Sequence, residues 1–265
     1  DHFMSGIFGK EWATKLQYPV TATFDIMGLV AGFGVAYRLA ERYKVDAVTA
    51  GVVSLAAFLL ATPHHIMYTP EGADKALDVG NVLPMALMGS QGLFVAMIIA
   101  LFSTEIFRLI VQKNIVIKMP EGVPPAVAKS FMALVPGFVV ITLIWLVRLL
   151  LEATSFEDIH NLINTLVSAP LSTVGGSLWG MLIFVFAIQL LWCFGLHGDS
   201  IVSSVMAPIL LMLMGQNHEA YVHHHELPNI VTQQFYEIFM TTGGSGITLA
   251  LLVLMLFRGR SAQAK

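Results

Sequence analysis

Charge is scarce in this chain. Asp, Glu, Lys and Arg make up 12% of its 265 residues, while hydrophobic residues make up 56%. A soluble domain carries about 25% charged residues, because polar side chains must cover its core. Here they are too few, and lipid has to cover the rest. The mean hydropathy of +0.76 points the same way. Basic residues are no commoner than acidic ones, and the net charge is −3. No basic stripe is present, which excludes a nucleic-acid partner. Cysteine is nearly absent. The single Cys193 cannot form an internal disulfide, and inside an apolar run it is expected to be a buried small hydrophobe. A signal peptide is lacking too, since residues 1–15 show no basic start followed by an apolar stretch. With Asp1 rather than Met at position 1, the chain is expected to be an internal piece of a longer product.

Long apolar stretches are abundant. A helix needs about 20 residues to cross the roughly 30 Å hydrocarbon core. Six stretches qualify: Val20–Ala40, Val45–Thr62, Val82–Ile110, Phe131–Leu151, Trp179–Leu196, and Gly246–Phe257 with what precedes it. The third is long enough to tilt or to emerge at one end. Arg38, Arg42 and Lys44 follow the first, Arg108, Lys113, Lys118 and Lys129 the third, and Arg258, Arg260 and Lys265 the sixth. The opposite connections carry Glu71, Asp74 and Asp78, then Glu152, Glu157 and Asp158. An excess of Lys and Arg marks the cytoplasmic side, so residue 1 is expected outside and residue 265 inside. Arg148 is the exception, expected to snorkel outward from a helix end. The three prolines between Lys118 and Lys129 forbid an unbroken helix there. After Pro125 either a short amphipathic interfacial helix or a solvated linker is expected.

Two apolar regions are broken by residues that a lipid-facing helix avoids. Irregular backbone at membrane depth persists only where protein or a wet cavity satisfies its hydrogen bonds, so such breaks point to a transport site. The first is Gly195-Leu196-His197-Gly198-Asp199, followed by an apolar run from Ile201 to Met214 that Pro208 interrupts and that suits a re-entrant hairpin. His197 and Asp199 are candidates for function in a protein-lined wet pocket; the plainer reading makes Asp199 the N-cap of an interfacial helix. Gln189 and Trp192 share a helical face above His197, and a Trp platform with amide and imidazole donors suits a sugar ring, although Trp192 equally suits an interfacial anchor. The second region is Gly243-Gly244-Ser245-Gly246, where close approach to a sugar and close helix packing are equally good readings. His223-His224-His225, with His218 and Glu226, has the look of a metal tract. Consecutive histidines cannot all face one ion, so a solvated loop is the better reading, and neither metal nor cofactor is expected. His64-His65 and Ser90-Gln91 read as interface residues at span ends.

Several segments carry a resemblance. Tyr43-Lys44-Val45-Asp46-Ala47-Val48-Thr49-Ala50-Gly51 with Ser54-Leu55-Ala56-Ala57-Phe58, Ile117–Phe131, Leu134-Val135-Pro136-Gly137-Phe138, Leu191-Trp192-Cys193-Phe194-Gly195-Leu196-His197-Gly198 and Gly243-Gly244-Ser245-Gly246 occur in order along the chain. Together they resemble the membrane-embedded, sugar-translocating C component (enzyme IIC) of the bacterial phosphoenolpyruvate-dependent phosphotransferase system, lactose/cellobiose/diacetylchitobiose branch. The resemblance implies an all-α integral membrane bundle with re-entrant hairpins and a short interfacial helix, in the cell's inner membrane. It implies a homodimer, with residues 1–151 as dimerising scaffold and 152–265 as the start of a sugar-binding domain. It further implies that a β-linked disaccharide is phosphorylated by the phosphocysteine of a separate B component.

On this resemblance His197 contacts a sugar hydroxyl near the phosphorylated position. Gln189, Trp192, Gly198, Asp199, Gly244 and Ser245 complete the candidate binding set. Asp199 is expected to hold the His197 imidazole in one tautomer. The family's glutamate motif, the expected base, would lie beyond residue 265. Cys193, at membrane depth, is not expected to carry phosphate. An ion-coupled secondary sugar transporter is the rival reading, but that class places several carboxylates inside its spans, and only Asp25 and Asp199 qualify here.

Overall fold

The computed structural model describes residues 15, 18, 19, 21–70, 75–120, 122–241, 244, 255 and 257. The chain divides into two compact units after Asn164.

In the first unit, α1 (Met27–Arg42) buries Gly28, Gly32, Ala36 and Ala40, a stripe at four-residue spacing. Small residues in such a stripe let a neighbouring helix come close, and α1 packs against both α2 (Ala47–Ala61) and α3 (Leu93–Gln112). The Asp46 carboxylate accepts the Thr49 N–H and so caps α2. The α1–α2 turn is held to α3 by Tyr43, whose hydroxyl donates to Glu105. Arg108 lies 4.7 Å from the Tyr43 ring centroid and pairs with Glu105 at 2.7 Å. Donation to that carboxylate, then burial, holds the Tyr43 proton on above the ordinary phenol range.

The third apolar stretch starts later than its composition suggests. Pro84 precedes a single helical turn, Met85–Met88, and Gly89 breaks the backbone before a 3₁₀ turn at Ser90–Gly92. The spanning helix proper is α3. Between α2 and α3 lies a feature that the sequence reading lacked, a two-stranded antiparallel hairpin. β1 (His65–Tyr68) pairs with β2 (Leu77–Gly80) in the register His65↔Gly80 and Tyr68↔Leu77. None of its residues is buried, and each strand is four residues long, too short for its pattern to stand out.

After Pro124 the chain forms α4 (Pro125–Met132), with proline in its first turn where no amide is needed. Then comes α5 (Leu134–Glu152), which buries only Pro136, Val140 and Ile144. Its exposed residues include Phe138, Trp145 and Leu150, a surface suited to lipid. By length and composition Ser90–Gln112 and Val127–Glu152 suffice to cross a membrane, and Ala47–Ala61 is a shorter apolar helix. The sixth expected span lies outside the described residues, except for Met255 and Phe257.

Arg148 does not snorkel. Its Nη1 donates to the carbonyls of Leu60 (2.8 Å) and Thr62 (3.2 Å), and its Nε to Glu152 at 2.9 Å. It thus closes the C-terminus of α2, where carbonyls lack partners and a cation is favoured. It also lines a cavity of about 250 Å³ with Pro63, His65, Glu152, Glu157 and Asp158. The short helix α6 (Ile159–Ile163) is capped by Asp158 and buries His160. The Thr62 hydroxyl donates to the Phe58 carbonyl, so it can only accept from His160 Nε2, 3.0 Å away.

The second unit contains α7 (Ala169–Gly175), reached through a π-helical turn at Asn164–Ser168. The run Ile159–Gly175 and α8 (Leu178–Cys193) meet at 82°. The Ser177 hydroxyl accepts the Gly180 N–H at 3.0 Å and caps α8. Next, α9 (Gly198–Val222) runs unbroken for 25 residues with Pro208 inside it. The expected break within Ile201–Met214 is therefore absent, because Gln216–Val222, though mostly polar, continues the helix. The hairpin is made by α8 and α9 themselves.

Candidate functional site

Local backbone chemistry shapes the α8–α9 turn. Gly195 adopts φ +75°; its N–H donates to the Trp192 carbonyl at 3.0 Å, and the Leu196 N–H reaches the Leu191 carbonyl at 3.0 Å. This pair of bonds is the Schellman helix stop, whose left-handed position favours glycine. Three residues after Gly195, α9 begins with Gly198, which is buried. A Cβ there would sit 2.1 Å from the Ile188 carbonyl oxygen. Position 198 is thus dictated by the close crossing of two backbones.

Between these glycines stands His197, and it performs the capping expected of Asp199. Its Nδ1 accepts the Ser200 N–H at 3.2 Å and lies 2.8 Å from Ser200 Oγ. A backbone amide only donates, so Nδ1 presents a lone pair and the neutral ring carries its proton on Nε2. Nε2 has no partner among the described residues. The Trp192 and His197 ring centroids lie 4.7 Å apart at 50°, so the expected pairing of the two is present. Neither ring is enclosed: Trp192 is 38% exposed and His197 is exposed. The protein-lined pocket expected around His197 is not formed by the described residues. One turn back on α8, Gln189 Nε2 is buried without a partner among them, an uncommon condition for an amide donor.

Asp199 is not on His197. Its Oδ1 accepts from Tyr236 Oη at 2.5 Å and Ser203 Oγ at 3.0 Å. It fixes no tautomer and caps no helix, because both tasks fall to the Ser200 amide meeting Nδ1. Cys193 is exposed, contrary to expectation. The helix α8 is apolar all round, so composition could not tell which of its faces is covered. Gly244 adopts φ +108° and donates its N–H to the Thr241 carbonyl at 2.8 Å. Ser245 lies outside the described residues.

The histidine run ends α9. His223, His224 and His225 are exposed, and His224 has φ +58°. No group able to hold a metal occurs among the described residues. The loop after them is held by a pairing no motif announced: Asn217 Nδ2 donates to the Asn229 carbonyl at 2.7 Å, and the Asn229 N–H donates to Asn217 Oδ1 at 2.9 Å.

Comparison with known proteins decides the family. The profile described as "Phosphotransferase system, EIIC" matches residues 2–265. The chain belongs to that family. A lichenan permease IIC component of Bacillus subtilis (strain 168) is 59% identical over 263 residues, which are 99% of this EIIC chain and 58% of that protein. The cellobiose-specific EIIC component of Geobacillus stearothermophilus is 55% identical over 267 residues, covering 100% of this chain and 59% of its own length. Among solved structures, the IIC transporter ChbC of an N,N'-diacetylchitobiose-specific phosphotransferase system superposes with a TM-score of 0.90 at 54% identity. That match covers 99% of this chain and 61% of ChbC. The chain thus spans about six-tenths of the length of these EIIC relatives. Membership of the EIIC family, with its helical membrane fold, removes the support for an ion-coupled transporter.

Proposed function

We propose that this EIIC chain is the dimerising scaffold and the first part of the sugar-binding domain of a permease for β-linked disaccharides. Residues 1–151 form the scaffold and 152–265 the start of the sugar domain. The complete protein works as a homodimer in the bacterial inner membrane. It presents a sugar hydroxyl to the phosphocysteine of a B component, so uptake and phosphorylation are one process. Cellobiose, lichenan and diacetylchitobiose, the sugars named for its relatives, share a β-glycosidic linkage, and this supports the choice of substrate class.

One observation carries the assignment of the site: the capped imidazole, whose Nε2–H meets no partner among the described residues, beside the Trp192 ring. Phosphoryl transfer depends on holding the acceptor in line with the donor more than on covalent help. His197 is suited to that holding role. Its Nε2 already carries a proton, and Nδ1 is committed to the helix, so the neutral ring donates to a sugar oxygen and does not act as base. Trp192 offers an apolar plane for the ring, and Gln189 an amide donor in need of an acceptor. Gly198 and Gly244 shape the backbone around them.

Vesicles holding the complete permease test this. Disaccharide should accumulate as its phosphate, and only with phosphorylated B component supplied. Accumulation of free sugar driven by an ion gradient would defeat the reading.

A further inference from the structure

We infer that Tyr236 is a positioning residue, whose bond to Asp199 holds the His197 hairpin in register with Thr241 and Gly244. The inference rests on the reading of that hairpin as the sugar site. Tyr236 opens a π-helical turn, Tyr236–Met240, after the short helix α10 (Gln233–Phe235). Its side chain is 5% exposed. Three separate pieces of the second unit meet on this one residue. Its ring stands edge-on to Phe184 of α8, with centroids 6.4 Å apart. Its hydroxyl donates at 2.5 Å to Asp199 in the first turn of α9, and Ser203, one turn further along α9, bonds the same carboxylate oxygen at 3.0 Å. Its backbone carbonyl accepts the Thr241 N–H at 3.1 Å, and the Thr241 carbonyl in turn accepts from Gly244.

The consequence is geometric. Asp199 lies two residues beyond His197, so a bond that fixes Asp199 also fixes where α9 starts and where the imidazole points. The same tyrosine, through its carbonyl, holds Thr241, whose own carbonyl holds Gly244. One buried phenol therefore sets the spacing between His197 and Gly244, both proposed to hold sugar. A hydrogen bond to a charged group contributes more than a neutral one, and losing one partner leaves a carboxylate that α9 must satisfy by itself. The contact touches no reacting atom, so Tyr236 acts through what it places.

The test uses the complete permease with Tyr236→Phe, which keeps the Phe184 contact and removes only the hydroxyl. Asp199→Ala removes the acceptor instead, and keeps the proposal testable should the first variant fail to fold. Spin labels on Cys193 and on an introduced Phe239→Cys, in a background without other cysteines, report the spacing. Cellobiose affinity is measured on unlabelled protein, and the unfolding temperature on both. Each variant should broaden the label distance distribution and weaken cellobiose binding at least tenfold, with the unfolding temperature within a few degrees of the parent. The double variant should lose no more affinity than either single one. An unchanged distance distribution overturns the proposal, as does a broadened one with unchanged affinity, or affinity lost only in step with unfolding. His197→Ala measured alongside separates the two levels: if it leaves affinity intact, the sugar-site reading fails, and the label distances still decide the clasp.

Discussion

A single imidazole carries two loads in this protein, and substitution can separate them. His197 Nδ1 caps α9, and its Nε2–H has no partner among the described residues. His197→Ala removes both. It should lower stability by about 1 kcal/mol, the usual effect of losing an N-cap, and abolish disaccharide binding. His197→Asn keeps a good capping oxygen but offers no imidazole. It should restore the unfolding temperature and leave binding lost. Calorimetric unfolding and sugar titration on the complete permease check the pair, and recovery of binding by His197→Asn would reduce the histidine to a cap. At this scale the sequence drew attention to His197 by flanking it with glycines beside an acid. It assigned the neighbours wrongly, because which of two adjacent polar groups meets an amide depends on backbone torsions. The Thr62–His160 contact spans 98 positions and left no trace in any local pattern.

Among the elements, the α8–α9 hairpin depends on two glycines for different reasons, and they should respond differently. Gly195 needs its φ of +75° and has no atom within 4 Å of an added Cβ. Gly195→Ala should destabilise by about 1–2 kcal/mol, the strain of a left-handed backbone. Gly198→Ala places a methyl against the Ile188 carbonyl, and backbone on both sides cannot yield without opening the crossing. It should cost clearly more than the first and remove sugar binding altogether. Comparing unfolding temperatures of the two variants decides it; equal effects would contradict the packing account. The long helices were readable because lipid demands continuous apolar runs. The β1–β2 pair was not, having only four residues in each strand and none of them buried.

For the whole molecule, the distribution of Lys and Arg makes a claim about sidedness. It puts Asn114, just after α3, in the cytoplasm and Asp78, on β2, outside. With Cys193 replaced by Ser, a membrane-impermeant maleimide should label Asp78→Cys in intact cells. It should label Asn114→Cys only after permeabilisation, and the reverse pattern would invert the topology. Arg148 breaks the charge rule for a reason now visible, since it closes the carbonyl end of α2. A cation so employed says nothing about sidedness.

By itself the sequence determined that this chain lives in lipid, roughly where its helices run, to which family it belongs and which short segment to suspect. Those properties follow from composition, span length and ordered motifs, which are additive along a chain. Only the tertiary structure decided that His197 caps a helix, that Asp199 belongs to Tyr236 and that Arg148 serves a neighbouring helix. The last two are choices among partners distant in the chain, and the first turns on which of two neighbouring polar groups meets one amide; all are settled by distances of a few ångströms that no one-dimensional pattern records.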